Sequence, residues 1–200
     1  MKQKKGHMVM PLTFPDEMAQ GSTSSRNYLR LNKLTADPVT KKKIVRIRVL
    51  EGFVHGYEAW TEDTKVYRKP TEAEVLEALA ADGKVLRVEK DRKNPKQFFG
   101  CLVENVTEGR IIQVLAGSQM SVPRQIKALA ESDEWGNGGD YDVTIESTVG
   151  ENGVINYVVS PCKPTPMDAK TSAAYEAFKA EAVGLDALFH GGDPFAAFGG

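Results

Sequence analysis

The alternation of apolar and charged positions is clearest in KKKIVRIRVLEGFVHGYEAW, residues 41–60. Strict alternation puts Val45, Ile47 and Val49 on one face of a strand and Arg46 and Arg48 on the other. The β-branched content predicts a strand over 43–50 and a second over 53–61. The same pattern recurs in NYLRL, where Leu29 and Leu31 alternate with Tyr28 and Arg30, so order is expected to begin there. PTEAEVLEALAADG, residues 70–83, predicts a helix opened by Pro70 and Thr71 and stopped at Gly83, with acids in its first turn and Val75, Leu76 and Leu79 as its apolar stripe. KVLRVEK, QFFGCLVENV and RIIQVLAG read as strands, the last two joined in a hairpin at Thr107-Glu108-Gly109. Phe98 and Phe99 are adjacent, which in a strand sends one ring inward and the other outward. SVPRQIKALAESDEW carries Ile126, Leu129 and Ala130 at helical spacing, with Ser121 as the expected cap and Pro123 in the first turn. GNGGD ends that helix, and YDVTIESTV and VINYVVSP make a final hairpin.

Strands, one helix and two further strands is the order of a five-stranded Greek-key barrel of the OB type, provided that residues 62–92 are an insertion. The expected fold is therefore mainly β: an OB-fold barrel over 27–162, with the helix between its third and fourth strands. A flexible basic arm is expected over 1–26, because the glycine and serines of AQGSTSSR have nothing to bury. Residues 163–200 read as a linker and tail, with PCKPTPMD as a proline-rich exit and AYEAFKAEAVGLDALF as a weak helix. In the tail, Leu185, Leu188, Phe189, Phe195 and Phe198 are many apolar groups for a merely solvating segment. The tail is expected to be held out by 161–184 as a partner-recognition segment whose contacts are Asp193, Phe195 and Phe198. The alternative is that Phe195 and Phe198 pack back on the barrel.

Composition agrees with a folded domain carrying extensions: 200 residues, 41% hydrophobic and 26% charged. No apolar run approaches the roughly 18 residues that a membrane span needs, and the N-terminus lacks the apolar stretch of a secretory signal, so a cytoplasmic protein with no membrane partner is expected. Cys101 and Cys162 stand outside any Cys/His spacing and are expected to be free thiols. Charge changes the picture more. Residues 1–50 hold eleven Lys and Arg against three acids, a net of +8 in a chain whose formal charge is −1. A cationic N-terminal part fits a polyanion binder, although a solvated basic face is the plainer reading.

Catalytic and metal patterns do not emerge. His7, His55 and His190 are scattered, neither a nucleophile elbow nor a phosphate loop occurs, and the acids Asp133, Glu134, Asp140 and Asp142 lack calcium-loop spacing. No enzyme, cofactor or metal is expected. What remains is cations interleaved with aromatics, the combination that single-stranded nucleic acid requires for its phosphates and unstacked bases. Tyr28, Arg30, Arg46, Arg48, Phe53, Tyr57, Trp60, Lys65, Tyr67 and Arg68 supply both kinds, and Lys96 and Phe98 extend the expected face along the strand at 96–103. Trp60 and Tyr57 alternate poorly with one buried face, which assigns one of the two to the core. Arg46 and Arg48 are expected to be exposed, and Trp135 to plug the core.

The succession NYLRL, RIRVLEGFVHGYEAW, QFFGCLVENV, RIIQVLAGSQMSVPRQIKALAESDEWG, YDVTI and YVVSP resembles the replicative single-stranded-DNA-binding proteins of tailed bacteriophages over residues 27–162. G-Y-E-x-W and the D-E-W-G that precedes Y-D-V-T-I are its more specific pieces. The resemblance implies an OB-fold protein that coats single-stranded DNA in replication, recombination or repair in the host cytoplasm. It also favours Arg46, Arg48, Tyr57 and Trp60 as DNA contacts, and a polymerase, helicase or nuclease is the kind of partner expected for the tail. An RNA-binding OB module and a phage structural or assembly protein with a basic arm are the alternatives.

Overall fold

The computed structural model describes residues 27–40, 42–88, 94–150, 153–181 and 184–195. The arm at 1–26, the end of KVLRVEK and Phe198 lie outside the described residues. The strands are β1 (Tyr28–Leu29), β2 (Lys43–Val49), β3 (Val54–Trp60), β4 (Val66–Lys69), β5 (Lys96–Asn105), β6 (Ile111–Gly117), β7 (Val143–Val149) and β8 (Ile155–Pro161). The helices are α1 (Glu72–Ala81), α2 (Ser121–Ala130) and α3 (Ala169–Glu181).

β5 organises the sheet. One edge pairs antiparallel with β6 across the expected hairpin, where Gly109 takes φ +84°. The other edge is divided, with β3 against residues 96–100 and β2 against 103–105. β4 continues outward from β3, β7 pairs with the far side of β2, and β8 pairs with β7. The chain is mainly β, as expected, but the described ladders form one mixed open sheet of eight strands and do not close a five-stranded barrel. The physical reason lies in what occupies the outer strands. The outer edge of β6 is taken by the parallel β1, and β8 is served by a side chain: Gln125 of α2 accepts from the Val159 N–H and donates to the Tyr157 carbonyl, both at 3.0 Å.

Local chemistry accounts for the helices. Thr71 caps α1, its hydroxyl accepting from the Glu74 N–H while the Glu74 carboxylate accepts from the Thr71 N–H, and Gly83 follows at φ +60°. The expected cap of α2 is corrected: Ser121 is its first helical residue, and Met120 precedes it without a side-chain cap. KVLRVEK is corrected as well, since only Leu86 bridges to Thr61 and no strand forms there among the described residues.

Apolar side chains are buried on both faces of β5. Phe99, Cys101 and Val103 join Val45, Ile47, Leu115, Ile145 and the α2 residues Val122 and Ile126 in one cluster, against which Trp135 packs. Phe98, Leu102 and Val114 face the other way, beneath Phe178, Leu185, Leu188, Phe189 and Phe195. Two expectations fall here. Phe98 does not point outward into solvent, because α3 and the turn at Leu185–Phe189 cover that face. The tail is not held out over its described residues 184–195 either: Phe195 packs on Phe178 at 5.2 Å between ring centroids. Gly56 and Gly100 make room for this cover, since a Cβ on Gly56 would meet the Phe189 ring at 2.5 Å and one on Gly100 the Leu188 methyl at 2.7 Å.

The expectation that Arg46 and Arg48 are both exposed is corrected at Arg48, whereas the Arg46 side chain is 42% exposed. Arg48 is 1% exposed, and its Nε donates to Asp142 at 2.6 Å while Nη2 donates to the Thr165 carbonyl and hydroxyl at 2.9 Å. Arg46 shares the same carboxylate, with Nε and Nη2 both 2.7 Å from Asp142 Oδ2. Directly opposite Arg48 in register, the buried Glu104 accepts from Thr171 Oγ1 at 2.6 Å and pairs with Arg110 at 2.9 Å. The strand spends its arginines on an acid and on the C-terminal extension, which the two threonines tie to the sheet. No helix among the described residues is long and apolar enough to cross a membrane.

Candidate nucleic-acid interface

The cover formed by the C-terminal segment stops short of the outer end of the β3–β4 hairpin. There a groove of ≈ 1130 Å³ opens, lined from β3, β4 and the start of β5 by Glu58, Trp60, Val66, Arg68, Lys69 and Lys96. Tyr28, Arg30 and Asn32 line it from β1 and the turn that follows, Ala78 and Asp82 from α1, and Phe189 to Gly192 from the C-terminal segment. Six of the sequence-predicted residues therefore meet in one place: Tyr28, Arg30, Trp60, Tyr67, Arg68 and Lys96. They come from β1, the turn after it, β3, β4 and β5.

Each side chain is placed by local structure. Cross-strand register sets Glu58 between Arg68 and Lys96, and Trp60 opposite Val66. The Trp60 backbone is held by Asn94, whose amide donates to the Trp60 carbonyl at 3.0 Å and also to the Arg87 carbonyl at 2.9 Å. That bridge brings Arg87 from the insertion to the groove. Tyr67 donates to Asp82 at 2.7 Å, which raises its phenol pKa. Burial, and then the Asp193 carboxylate beside it, pushes the Tyr28 phenol up to about 12.

Charge in the groove is uneven. Arg30, Arg68, Lys69, Arg87 and Lys96 face only Glu58 and Asp82. Glu58 is committed to Arg68 at 3.3 Å, whereas Arg30, Lys69, Arg87 and Lys96 form no ion pair among the described residues. Unpaired cations beside Tyr28 and Trp60 can hold a polyanion and offer flat surfaces to its uncharged parts, while Tyr67, opposite Ala59 in register, packs with Val75 and Leu79 at the groove's margin.

The remaining expected residues lie elsewhere. Arg46 and Arg48 are occupied by Asp142. Phe53 packs on Phe99 at 6.1 Å, and Lys65 is exposed in the β3–β4 turn outside the groove. Phe98 is buried beneath Arg68, whose guanidinium carbon lies 4.4 Å from the ring centroid. Tyr57 points to the opposite side from Trp60 and lines a smaller cavity of ≈ 370 Å³ that shares Lys96 and Ser118 with the groove. Asp193 stands beside Tyr28, and its Oδ1 accepts from the Phe195 N–H at 3.0 Å, so neither projects as a free recognition tail.

Sequence reasoning missed Asn32, Lys69, Arg87 and Gln119 as groove residues. Lys69 follows Arg68 directly, and Arg87 sits in KVLRVEK, so a basic side chain adjoining each hairpin strand was the available signal. No protein-family model, curated protein or solved structure matches the chain.

Proposed function

We propose that the chain is a sequence-tolerant single-stranded-DNA-binding protein and that the groove beside the β3–β4 hairpin is where the strand lies. The observation that carries this reading is the convergence of Tyr28, Trp60, Tyr67, Arg68 and Lys96 from four separate strands, with Arg30 from the turn after β1. Cations without carboxylate partners bind phosphate, and aromatic faces accept unstacked bases of any sequence. An OB-type connectivity supports the same reading. β2 pairs with β5 and β7, β5 with β6, β7 with β8, and α2 stands between β6 and β7, while β3, the strand expected over 53–61, lies with β4 and α1 between β2 and β5, so the insertion begins earlier than residue 62.

The role that follows is coating and protecting single strands in phage DNA replication, recombination or repair in the host cytoplasm, without a catalytic step. Polymerase, helicase or nuclease partners belong to the same proposal, although Asp193 and Phe195, the described residues of the tail assigned to them, are engaged within the fold. A Trp fluorescence titration with poly-dT at several salt concentrations tests it. Binding is expected, with log K falling against log salt by about 0.7 per phosphate neutralised. No binding, or a salt-independent affinity, refutes the proposal. Competition between oligo-dT and oligo-U of equal length separates DNA from RNA, since a site that used the 2′-OH would favour RNA.

A further inference from the structure

We infer that Arg68 is a base-stacking plate in the groove and not a phosphate clamp, an inference that rests on the single-strand reading above. Two neighbours fix its guanidinium, and a third fixes one of them. Phe98 lies beneath it at 4.4 Å, and Phe189 meets Phe98 edge-on, with centroids 6.3 Å apart and an interplanar angle of 80°. Glu58 accepts from Arg68 Nε at 3.3 Å. The Glu58 side chain is 7% exposed and that of Arg68 30%, so the guanidinium forms part of the groove floor with a carboxylate buried at its edge.

A phosphate brought to Arg68 would come within the field of Glu58, and the cation's charge is already answered there. A base brings no charge, and a planar guanidinium stacks well on π faces. The unpaired cations Arg30, Lys69, Arg87 and Lys96 suit phosphates better, and Arg30 and Arg87 are exposed. The strand consequently lies with bases toward the β3–β4 floor and backbone toward these outer cations. Phe98, buried and out of reach of any ligand, is a positioning residue: it holds the plate flat from below.

The test compares oligo-dT with an abasic oligonucleotide of equal length and equal phosphate count, titrated against wild type, Arg68→Lys, Arg68→Ala and Phe98→Leu at several salt concentrations. Arg68→Lys keeps the charge and the Glu58 partner but loses the plane, so it remains informative if Arg68→Ala does not fold. Wild type is expected to prefer oligo-dT. In Arg68→Lys that preference should shrink by about five- to a hundredfold, one stacked base's worth, with the abasic affinity and the salt slope unchanged. Phe98→Leu should narrow the same gap, again at constant slope. Wild-type behaviour of Arg68→Lys on oligo-dT overturns the inference. So does an Arg68→Ala slope reduced by about 0.7 with the gap intact, the signature of a lost phosphate contact. Equal wild-type affinity for both oligonucleotides removes the stacking plate alone, whereas binding to neither removes the single-strand reading as well.

Discussion

Replacing Asp142 by Ala tests the account of the arginines most directly. The carboxylate is fully buried and accepts from Arg48 Nε at 2.6 Å and from Arg46 at 2.7 Å. The Arg46 half contributes little, because that side chain is 42% exposed and exposed pairs are worth about 0–1 kcal/mol. The Arg48 half decides the outcome. Its side chain is 1% exposed, so losing Asp142 strands a buried guanidinium, a loss of about 3–5 kcal/mol. Against a typical domain stability of about 5–15 kcal/mol, this is a large fraction. Equilibrium urea unfolding followed by Trp fluorescence measures it, with Arg46→Ala as the control expected to lose about 1 kcal/mol or less. The double variant Asp142→Ala/Arg48→Met should be more stable than Asp142→Ala alone, since removing both partners removes the uncompensated charge. An Asp142→Ala protein within about 1 kcal/mol of wild type, or a double variant less stable than the single one, refutes the reasoning.

Three further outcomes are expected. Leu188→Ala should lower stability by about 2–5 kcal/mol in a thermal melt, as befits a buried core leucine, and an unchanged Tm would place the segment outside the core. The Tyr28 phenol should titrate at about 12 rather than 10.0 by ultraviolet difference absorbance, and Asp193→Asn should lower that value. Its folded pKa is raised, so the associated stability is intact below pH 10.0 and is lost as pH climbs through 12; an unshifted Tyr28 pKa in Asp193→Asn contradicts the contact. A thiol reagent should modify the half-buried Cys162 in the native protein and reach Cys101, whose pKa burial pushes up, only after denaturation; equal rates would contradict the burial of β5.

Periodicity carried the strands because each has a buried face. Leu29, Leu31, Val45 and Ile47 are all buried as their alternation requires. Periodicity assigns a face but not what lies on it. Arg48 finds Asp142 94 residues away, and nothing local to either strand records that partnership. Burial on both sides was legible in principle. FFGCLV is apolar at odd and even positions alike, the mark of a strand covered on both faces, and Leu185, Leu188, Phe189 and Phe195 were apolar groups not assigned to the barrel. The groove was half legible: aromatics and cations could be named, but which of them share a face depends on cross-strand register. That register sends Tyr57 away from Trp60 and puts Phe98 beneath Arg68.

The seating of Leu188 and Phe189 against Gly100 and Gly56 also bears on how the protein is made. A ribosome delivers the strands first, and β5 can acquire its partners β3, β2 and β6 before residues 185–195 exist. Until then Phe98, Leu102 and Val114 lack every part of their cover but α3, and the groove lacks the stretch from Phe189 to Gly192. The nascent chain is therefore expected to carry an incompletely covered apolar sheet face and an incomplete groove until synthesis has passed that stretch, which makes the finishing of the core and of the candidate site one event.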